Sequence, residues 1–306
     1  MLRKLFLVLC LIASPALAEM KLPTSQQEIA IGFVPLVKRA TPAVVNIYAK
    51  RIVATRSSPF SNDPFFQNLF RDFGEVRPQV QNSLGSGVIL SDDGYVVSNF
   101  HVVGDASDIR VVLTDRREFA ARVVLADQEA DLAILQLDSA TNTPFLPLRD
   151  SDTVEVGELV LAIGNPFGIG QTVTSGIVSG LARSGTATGN ARGLYLQTDA
   201  AINPGNSGGA LIDMNGDLIG INTSILTRSG GSNGIGFSIP AALVAQYLQQ
   251  AKAGNTRFQK PWAGINGQSV DVAIAESLGM AAPAGIMISD LHAVSPFLKA
   301  GFKAGD

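Results

Sequence analysis

Short apolar runs separated by turn residues fill the sequence from residue 84 to residue 239. About a dozen such runs, Leu132–Leu137 among them, are rich in Val, Ile and Leu, a composition typical of β-strands. Asn215-Gly216, between two such runs, is a strong signal for a hairpin turn. Because no long helical pattern interrupts the runs, we predict an all-β fold. A polar gap near residues 139–157 divides the runs into two groups, which favours two β-barrels in tandem.

The stretch from residue 54 to residue 82 loses any regular period and mixes polar residues with phenylalanines. A loop of this length is more often functional or disordered than a plain connection. Two interpretations are open: the phenylalanines cover the protein's own core, or they contact a neighbouring subunit or a substrate. The residues concerned are Phe60, Phe65, Phe66, Phe70 and Phe73.

Helical signals lie on both sides of the β region. A helix is expected near residues 26–39, before strands that start at Ala43. Pro240 begins a second helix and Gly254 is placed to end it. Its apolar positions recur at helical spacing, at Leu243, Val244, Tyr247, Leu248 and Ala251. Residues 255–261 are polar and predict a linker before a second module at residues 262–306, which is short for an independent domain.

The N-terminus has the pattern of a secretory signal peptide. Arg3 and Lys4 precede the apolar run Leu5–Ala13, and Ala16-Leu17-Ala18 supplies small residues for cleavage. We predict a signal peptide over residues 1–18 and a mature chain from Glu19, with an uncleaved membrane anchor as the alternative. The one cysteine of the chain lies in this segment, so the mature chain depends on no disulfide.

Charge and composition exclude several functions. The chain has 23 basic and 26 acidic residues, a net charge of −3, and no cluster of Lys or Arg. We therefore expect binding neither to nucleic acid nor tightly to anionic lipid. Two histidines and no cysteine in the mature chain argue against a zinc site, and we predict no metal or other cofactor.

The strongest chemical signal is Gly205-Asn206-Ser207-Gly208-Gly209. A serine hydroxyl becomes a good nucleophile only when a base takes its proton, and the resulting oxyanion needs two N–H donors. The flanking glycines allow a tight turn that exposes the hydroxyl, and Gly205 and Ser207 are spaced to supply the donors. The alternative is a glycine-rich turn with a passive serine.

A base and a carboxylate complete the candidate set. His101 follows an apolar strand upstream of Ser207, and the other histidine is His292. Asp131 directly precedes a buried strand, where its carboxylate could orient the imidazole; Asp127 is the rival. The order His101, Asp131, Ser207 favours Asp131.

Three motifs together resemble the HtrA/Deg family of serine proteases: residues 98–103 around His101, residues 131–135 after Asp131, and residues 205–209 around Ser207. The resemblance implies a chymotrypsin-like pair of six-stranded β-barrels over residues 19–254, with a short C-terminal helix. Residues 255–261 would be the linker. Residues 262–306 resemble the N-terminal part of a PDZ domain, which is incomplete because the family pattern continues beyond Asp306.

The resemblance also implies roles for residues outside the triad. Ile202 and Ile225 match walls of the primary specificity pocket and would favour a small aliphatic side chain; the alternative is a plain core role. Arg183 matches a regulatory arginine that links the peptide-binding domain to the active site. The segment 54–82 resembles a loop that reaches towards a neighbouring active site, and residues near Phe33 lie where the family trimerises.

The function implied is an ATP-independent serine endopeptidase of the periplasm that degrades unfolded envelope proteins through an acyl-enzyme, with chaperone-like activity. Its partners would be unfolded polypeptides, peptide C-termini if the PDZ domain is completed, and copies of itself in a homotrimer or larger oligomer. The alternative is a membrane-tethered regulatory protease that cuts one signalling target and retains residues 1–18.

Overall fold

The computed structural model describes residues 32–57, 75–165, 170–184, 194–203, 205–225 and 232–306. The chain divides into two compact units at the boundary between Thr256 and Arg257. The predicted signal peptide and the five phenylalanines of the segment 54–82 lie outside the described residues. Within the described part of the chain, no helix is long and apolar enough to cross a membrane.

The first β-barrel follows a short helix, α1 (Val34–Ala40), and a 3-10 turn at Thr41–Ala43. Its six strands close in the order β1-β2-β3-β6-β5-β4 around side chains such as Ile47, Ile89 and Leu135. Its described strands, with a helical turn after β3, are β1 (Val44–Ser57), β2 (Glu75–Ile89), β3 (Tyr95–Ser98), α2 (Phe100–Val103), β4 (Asp108–Val112), β5 (Glu118–Asp127) and β6 (Leu132–Leu137).

The second β-barrel repeats this architecture. Its strands close in the order β10-β11-β12-β9-β8-β7 around Val160, Leu211, Ile219 and their neighbours. The strands are β7 (Leu159–Gly164), β8 (Thr172–Ser184), β9 (Leu194–Thr198), β10 (Ala210–Ile212), β11 (Leu218–Ile225) and β12 (Gly236–Pro240). The two barrels confirm the predicted all-β, double-barrel fold. Gly216, with φ +81°, makes the predicted turn between β10 and β11.

The long loop expected over residues 54–82 is wrong at both of its ends. Strand β1 continues to Ser57 and β2 begins at Glu75, with Ser57 opposite Glu75 in an antiparallel ladder that runs back to Val44 and Val88. Such a ladder is held by main-chain hydrogen bonds, which need no alternation of polar and apolar side chains. The hydrophobic period therefore fails here as a strand signal.

Helix α3 (Ala241–Lys252) confirms the helix predicted after Pro240, and Gly254 follows it with φ +86°. It packs against β5 and β6 of the first barrel and β11 and β12 of the second. The observed α1 covers the C-terminal part of the helix expected near residues 26–39, and residues 26–31 lie outside the described ones. The C-terminal unit contains β13 (Ile265–Ser269), α4 (Val272–Ser277), β14 (Ile286–Leu291) and α5 (Pro296–Lys299), with β13 and β14 antiparallel.

The polar segment between the barrels is fastened by Arg149. Its guanidinium forms two hydrogen bonds with the Glu158 carboxylate, at 2.6 and 3.0 Å, and one with Asp213 at 3.1 Å. The Asp213 side chain is 2% exposed and also accepts the N–H groups of the β10–β11 hairpin. Hydrogen bonding to Arg149 lowers the pKa of Glu158. The cluster ties the segment to the second barrel.

We expect Glu158→Gln to lower the free energy of unfolding at neutral pH by about 1–2 kcal/mol, between the values for exposed and buried ion pairs. Because the pKa of Glu158 is lower in the folded state, its contribution is full above the unfolded pKa of about 4.3 and is lost as the pH falls through the folded pKa. Thermal unfolding of both proteins from neutral to acidic pH should show their difference shrinking as the pH falls.

Glu118→Gln is the matched control, because it weakens an exposed ion pair with Arg110 in which both side chains are about half exposed. This control should change the free energy of unfolding by less than about 0.5 kcal/mol. Equal losses in the two variants would contradict a special role for the Arg149 cluster.

Candidate active site

His101 and Asp131 are delivered by neighbouring connections of the first barrel. His101 lies in α2, directly after β3, and Asp131 lies in the turn between β5 and β6 with φ +54°. The main-chain carbonyl of Asp131 accepts the N–H of Phe100 at 3.1 Å and the side-chain amide of Asn99 at 3.0 Å. These bonds hold the connection that carries His101 against the turn that carries Asp131, independently of the contact between the His101 and Asp131 side chains.

The turn that carries Asp131 is organised by Asp127. One Asp127 oxygen accepts the N–H groups of Glu129 at 2.8 Å and Ala130 at 3.3 Å, and the other accepts the Tyr247 hydroxyl at 2.7 Å. Burial and the adjacent carboxylate raise the pKa of Tyr247, so its hydroxyl stays a donor. Asp127, the rival for the acid role, is thus used in holding the turn.

The imidazole of His101 faces the Asp131 carboxylate, with Nδ1 at 2.9 Å from Oδ2 and 3.1 Å from Oδ1. The main-chain N–H of His101 also donates to Oδ1, at 3.0 Å. In the neutral tautomer that carries its proton on Nδ1, facing the carboxylate, the other ring nitrogen, Nε2, is the one that can accept a proton. The pair has the arrangement of a general base and its orienting acid.

Thr223 on β11 adds a contact from the second barrel. Its hydroxyl donates to Asp131 Oδ2 at 2.8 Å, and its carbonyl accepts the Ser207 hydroxyl at 3.3 Å. Thr223 is 7% exposed, so the bond to the carboxylate is largely shielded from water. Sequence reasoning assigned no role to Thr223.

Ser207 lies in a turn where backbone conformation and close packing both require glycine. Gly205 has φ +98° and Gly208 has φ +83°, both in the left-handed region. A Cβ on Gly208 would lie 2.1 Å from the carbonyl oxygen of Ser86. Gly208 N–H donates to the Asn222 carbonyl at 2.8 Å, and Asn222 N–H donates to the Gly209 carbonyl at 2.9 Å. The turn is therefore pressed against both barrels by its backbone.

Two N–H groups of this turn are available to a ligand. Among the described residues, no acceptor is found for the N–H of Gly205 or of Ser207, the two donors expected from the sequence. The other N–H groups of the turn, at Asn206, Gly208 and Gly209, all have carbonyl partners. An oxyanion that forms beside Ser207 could thus be met by two main-chain donors.

The structure brings the acid Asp131 and the base His101 into contact, whereas the hydroxyl of Ser207 is directed elsewhere. Within the described ranges no hydrogen bond joins His101 to Ser207, whose hydroxyl is turned to Thr223 instead. The His101 side chain is 51% exposed, so part of the imidazole is open to solvent. Catalytic hydrogen bonds are often long before substrate binds. A rotation about the Ser207 Cα–Cβ bond would release the hydroxyl from Thr223.

The other residues singled out from the sequence are placed differently. Ile202 is 2% exposed and belongs to the core cluster of the second barrel, the alternative role left open for it. Ile225 pairs with Gly236, and Arg183 pairs with Tyr195, but the side chains of Ile225 and Arg183 lie outside the described set. His292 lies in the C-terminal unit, where its ring packs edge-on against Trp262.

Comparison with known proteins gives consistent matches. Residues 85–221 match the family of the trypsin-like peptidase domain. A probable periplasmic serine endoprotease, DegP-like, of Halomonas elongata is 41% identical over 318 residues, which cover 99% of this chain and 65% of the relative. The periplasmic serine endoprotease DegP of Salmonella typhimurium is 46% identical over 250 residues, covering 81% of this chain and 52% of the relative.

The solved structures agree with the sequence matches. The HtrA-type protease AlgW with a decapeptide has a TM-score of 0.66 and 40% identity, covering 89% of this chain and 83% of that one. The same protease with a tripeptide gives a TM-score of 0.68. The chain spans less than two thirds of the length of the curated relatives described above. Both are named as periplasmic, which confirms the localisation predicted from the sequence.

We expect Thr223→Val to slow the reaction of Ser207 with a fluorophosphonate probe about tenfold or more, because a hydrogen bond to a charged group contributes about 1.5–3 kcal/mol. Valine keeps the shape of threonine but cannot donate to Asp131. The labelling rate is measured by gel fluorescence, and peptide mapping identifies the modified residue. Thr223→Ser, which retains the hydroxyl, should label nearly as fast as the wild type. If Thr223→Val is labelled at the wild-type rate, Thr223 does not orient Asp131.

Proposed function

Because the chain belongs to the HtrA-type serine proteases, we propose that it is an ATP-independent serine endopeptidase that cleaves unfolded polypeptides in the periplasm. The observation that carries this proposal is the row of hydrogen bonds from His101 to Asp131 and from Thr223 to Asp131, with the Ser207 hydroxyl on the same threonine. A base, its orienting acid and a nucleophile thus share one polar network at the seam of the two barrels.

In the first half of the proposed reaction, Ser207 Oγ attacks the carbonyl carbon of the peptide bond. Its proton passes to Nε2 of His101, and Asp131 stabilises the resulting imidazolium. The carbonyl oxygen becomes an oxyanion that accepts the N–H groups of Gly205 and Ser207. When the tetrahedral intermediate collapses, the C–N bond breaks, His101 gives the proton to the leaving amine, and an ester to Ser207 remains.

In the second half, a water molecule attacks the ester carbon and gives a proton to His101. The bond between the carbon and Ser207 Oγ breaks, and His101 returns the proton to the serine. The same two N–H groups hold the second oxyanion. The cycle consumes one water and regenerates the enzyme, so it requires neither ATP nor a metal.

We propose that the substrates are extended segments of unfolded protein. Structures related to this chain hold a decapeptide or a tripeptide, which are short chains without a fold of their own. A folded substrate cannot offer an extended backbone to a cleft between two closed barrels, whereas an unfolded one can.

With Ile202 in the core, Ile225 is the stronger candidate for a wall of the specificity pocket, and the expected preference is for a small aliphatic side chain.

The proposal extends to partners. Residues 262–306 carry exposed apolar side chains, among them Trp262 and Ile286, which suits a module that binds peptide C-termini once a PDZ domain is complete. Phe33 and Val34 are 38% and 56% exposed and are the residues we assign to a homotrimer interface. Arg183 keeps its proposed regulatory role, and the tethered alternative stays a prediction about residues 1–18.

We expect Ser207→Ala to abolish cleavage of unfolded casein, because the variant lacks the only nucleophile proposed for the reaction. Casein fragments are followed by gel electrophoresis, and circular dichroism verifies that the variant is folded. Casein cleavage at the wild-type rate by folded Ser207→Ala would refute the proposal.

The proposed chaperone-like activity is tested with the same variant, which should still suppress the aggregation of a reduced, unfolding protein.

A further inference from the structure

One buried serine of the first barrel reaches the nucleophile turn of the second. Ser86 lies on β2 and is fully buried. Its hydroxyl donates to the carbonyl of Gly205 at 2.7 Å and accepts the N–H of Asn165, directly after β7, at 2.9 Å. The hydroxyl therefore bridges two main-chain groups of the other barrel.

The main chain of Ser86 holds the same turn at a second point. Its N–H donates to the carbonyl of Ser207 at 2.9 Å, and its own carbonyl accepts the Ser98 hydroxyl at 2.8 Å. One residue thus binds the carbonyls of both Gly205 and Ser207. These are the two residues whose N–H groups are the proposed oxyanion donors.

The planarity of the peptide bond explains what these contacts achieve. The Gly205 carbonyl shares a plane with Asn206 N–H, which donates to the Asn203 carbonyl at 2.9 Å. The Ser207 carbonyl shares a plane with Gly208 N–H, which donates to Asn222. Each plane is therefore held at both ends, on one side by Ser86. The N–H of Ser207 belongs to the plane between these two, so its direction is set from both sides.

Packing around Ser86 leaves the turn little freedom to shift as a body. The carbonyl oxygen of Ser86 lies so close to Gly208 that no Cβ fits there. A Cβ on the neighbouring Gly85 would lie 2.7 Å from a methyl group of Val102 and 3.4 Å from the Ser207 carbonyl oxygen. What Ser86→Ala removes is thus one hydroxyl and its two bonds, while the tight backbone contact remains.

We propose that Ser86 is a positioning residue of the oxyanion hole, acting through Gly205 and Ser207. This inference rests on the proposed function and adds a residue to it. Without the Ser86 hydroxyl the peptide plane between Gly205 and Asn206 is held at one end only. The N–H of Ser207, and the peptide plane that follows the N–H of Gly205, then lose one of the contacts that set their direction. The His101–Asp131 pair does not contact this hydroxyl and keeps its geometry.

The test compares the wild type and Ser86→Ala with a chromogenic peptide substrate and with a peptide aldehyde, which forms a tetrahedral adduct with Ser207. We expect kcat to fall between about 10-fold and 100-fold, less than the loss from removing an oxyanion donor outright, with KM within about threefold. Affinity for the aldehyde should fall by a similar factor. A purely structural loss would not move kcat and aldehyde affinity together while leaving KM in place.

Ser151→Ala is the matched control, because Ser151 is also buried and its hydroxyl accepts a main-chain N–H, that of Ala242, at 3.0 Å. We expect it to lower the melting temperature without changing kcat or aldehyde affinity. Ser86→Cys is the second variant and serves if Ser86→Ala does not fold. A thiol is a weak donor, so we expect an intermediate kcat.

The outcomes separate this inference from the proposed function. If the wild type neither cleaves the peptide nor binds the aldehyde, both are overturned. If the wild type does both, and folded Ser86→Ala or Ser86→Cys retains its kcat and aldehyde affinity, only the role of Ser86 is overturned. Equal kinetic losses in Ser151→Ala and Ser86→Ala would also overturn it.

Discussion

The carboxylate of Asp131 is the point at which the two barrels become one site. It receives the imidazole of His101 from its own barrel and the hydroxyl of Thr223 from the other, and its side chain is 23% exposed. Hydrogen bonds to an ionised group are stronger than those between neutral groups. The docking of the barrels and the orientation of His101 are therefore coupled, because a shift of the second barrel would remove the Thr223 hydroxyl from the Asp131 carboxylate.

The candidate site has two parts, the acid–base pair and the nucleophile turn, and only the acid–base pair already has the contact between side chains that the proposed reaction needs. The acid and the base are already in contact, on two connections that are bonded to each other through the Asp131 carbonyl. The nucleophile has its backbone fixed by both barrels, but its hydroxyl is directed to a carbonyl. A rotation about the Ser207 Cα–Cβ bond would free this hydroxyl from the Thr223 carbonyl.

The sequence predicted the parts that depend on local pattern. Short runs with turn signals predicted the double barrel, and Pro240 and Gly254 predicted α3. The order of three motifs predicted the candidate set His101, Asp131 and Ser207. The relatives confirm the resemblance on which the family rests. The ends of β1 and β2 were missed because main-chain pairing there leaves no hydrophobic period.

Thr223 and Ser86 could not be found in the same way. Thr223 bonds a residue 92 positions away, and Ser86 bonds one 119 positions away. Each is a small hydroxyl within a strand, where sequence alone indicates only a tolerated polar residue. Their partners are set by the register of strands and by how the barrels meet, which no local pattern records. Ile202 is the converse case, because the resemblance implies a pocket wall and the structure places its side chain in the core cluster of the second barrel.

The backbone at Asp131 limits what evolution can place there. A left-handed φ of +54° is costly for most side chains and is best tolerated, after glycine, by Asn and Asp. Glycine would satisfy the backbone without any side chain to face the imidazole, and asparagine would satisfy it without the charge. Glutamate would keep the charge but not the conformational tolerance. Aspartate alone meets both demands, so the identity of this residue is fixed by chain geometry as firmly as by chemistry.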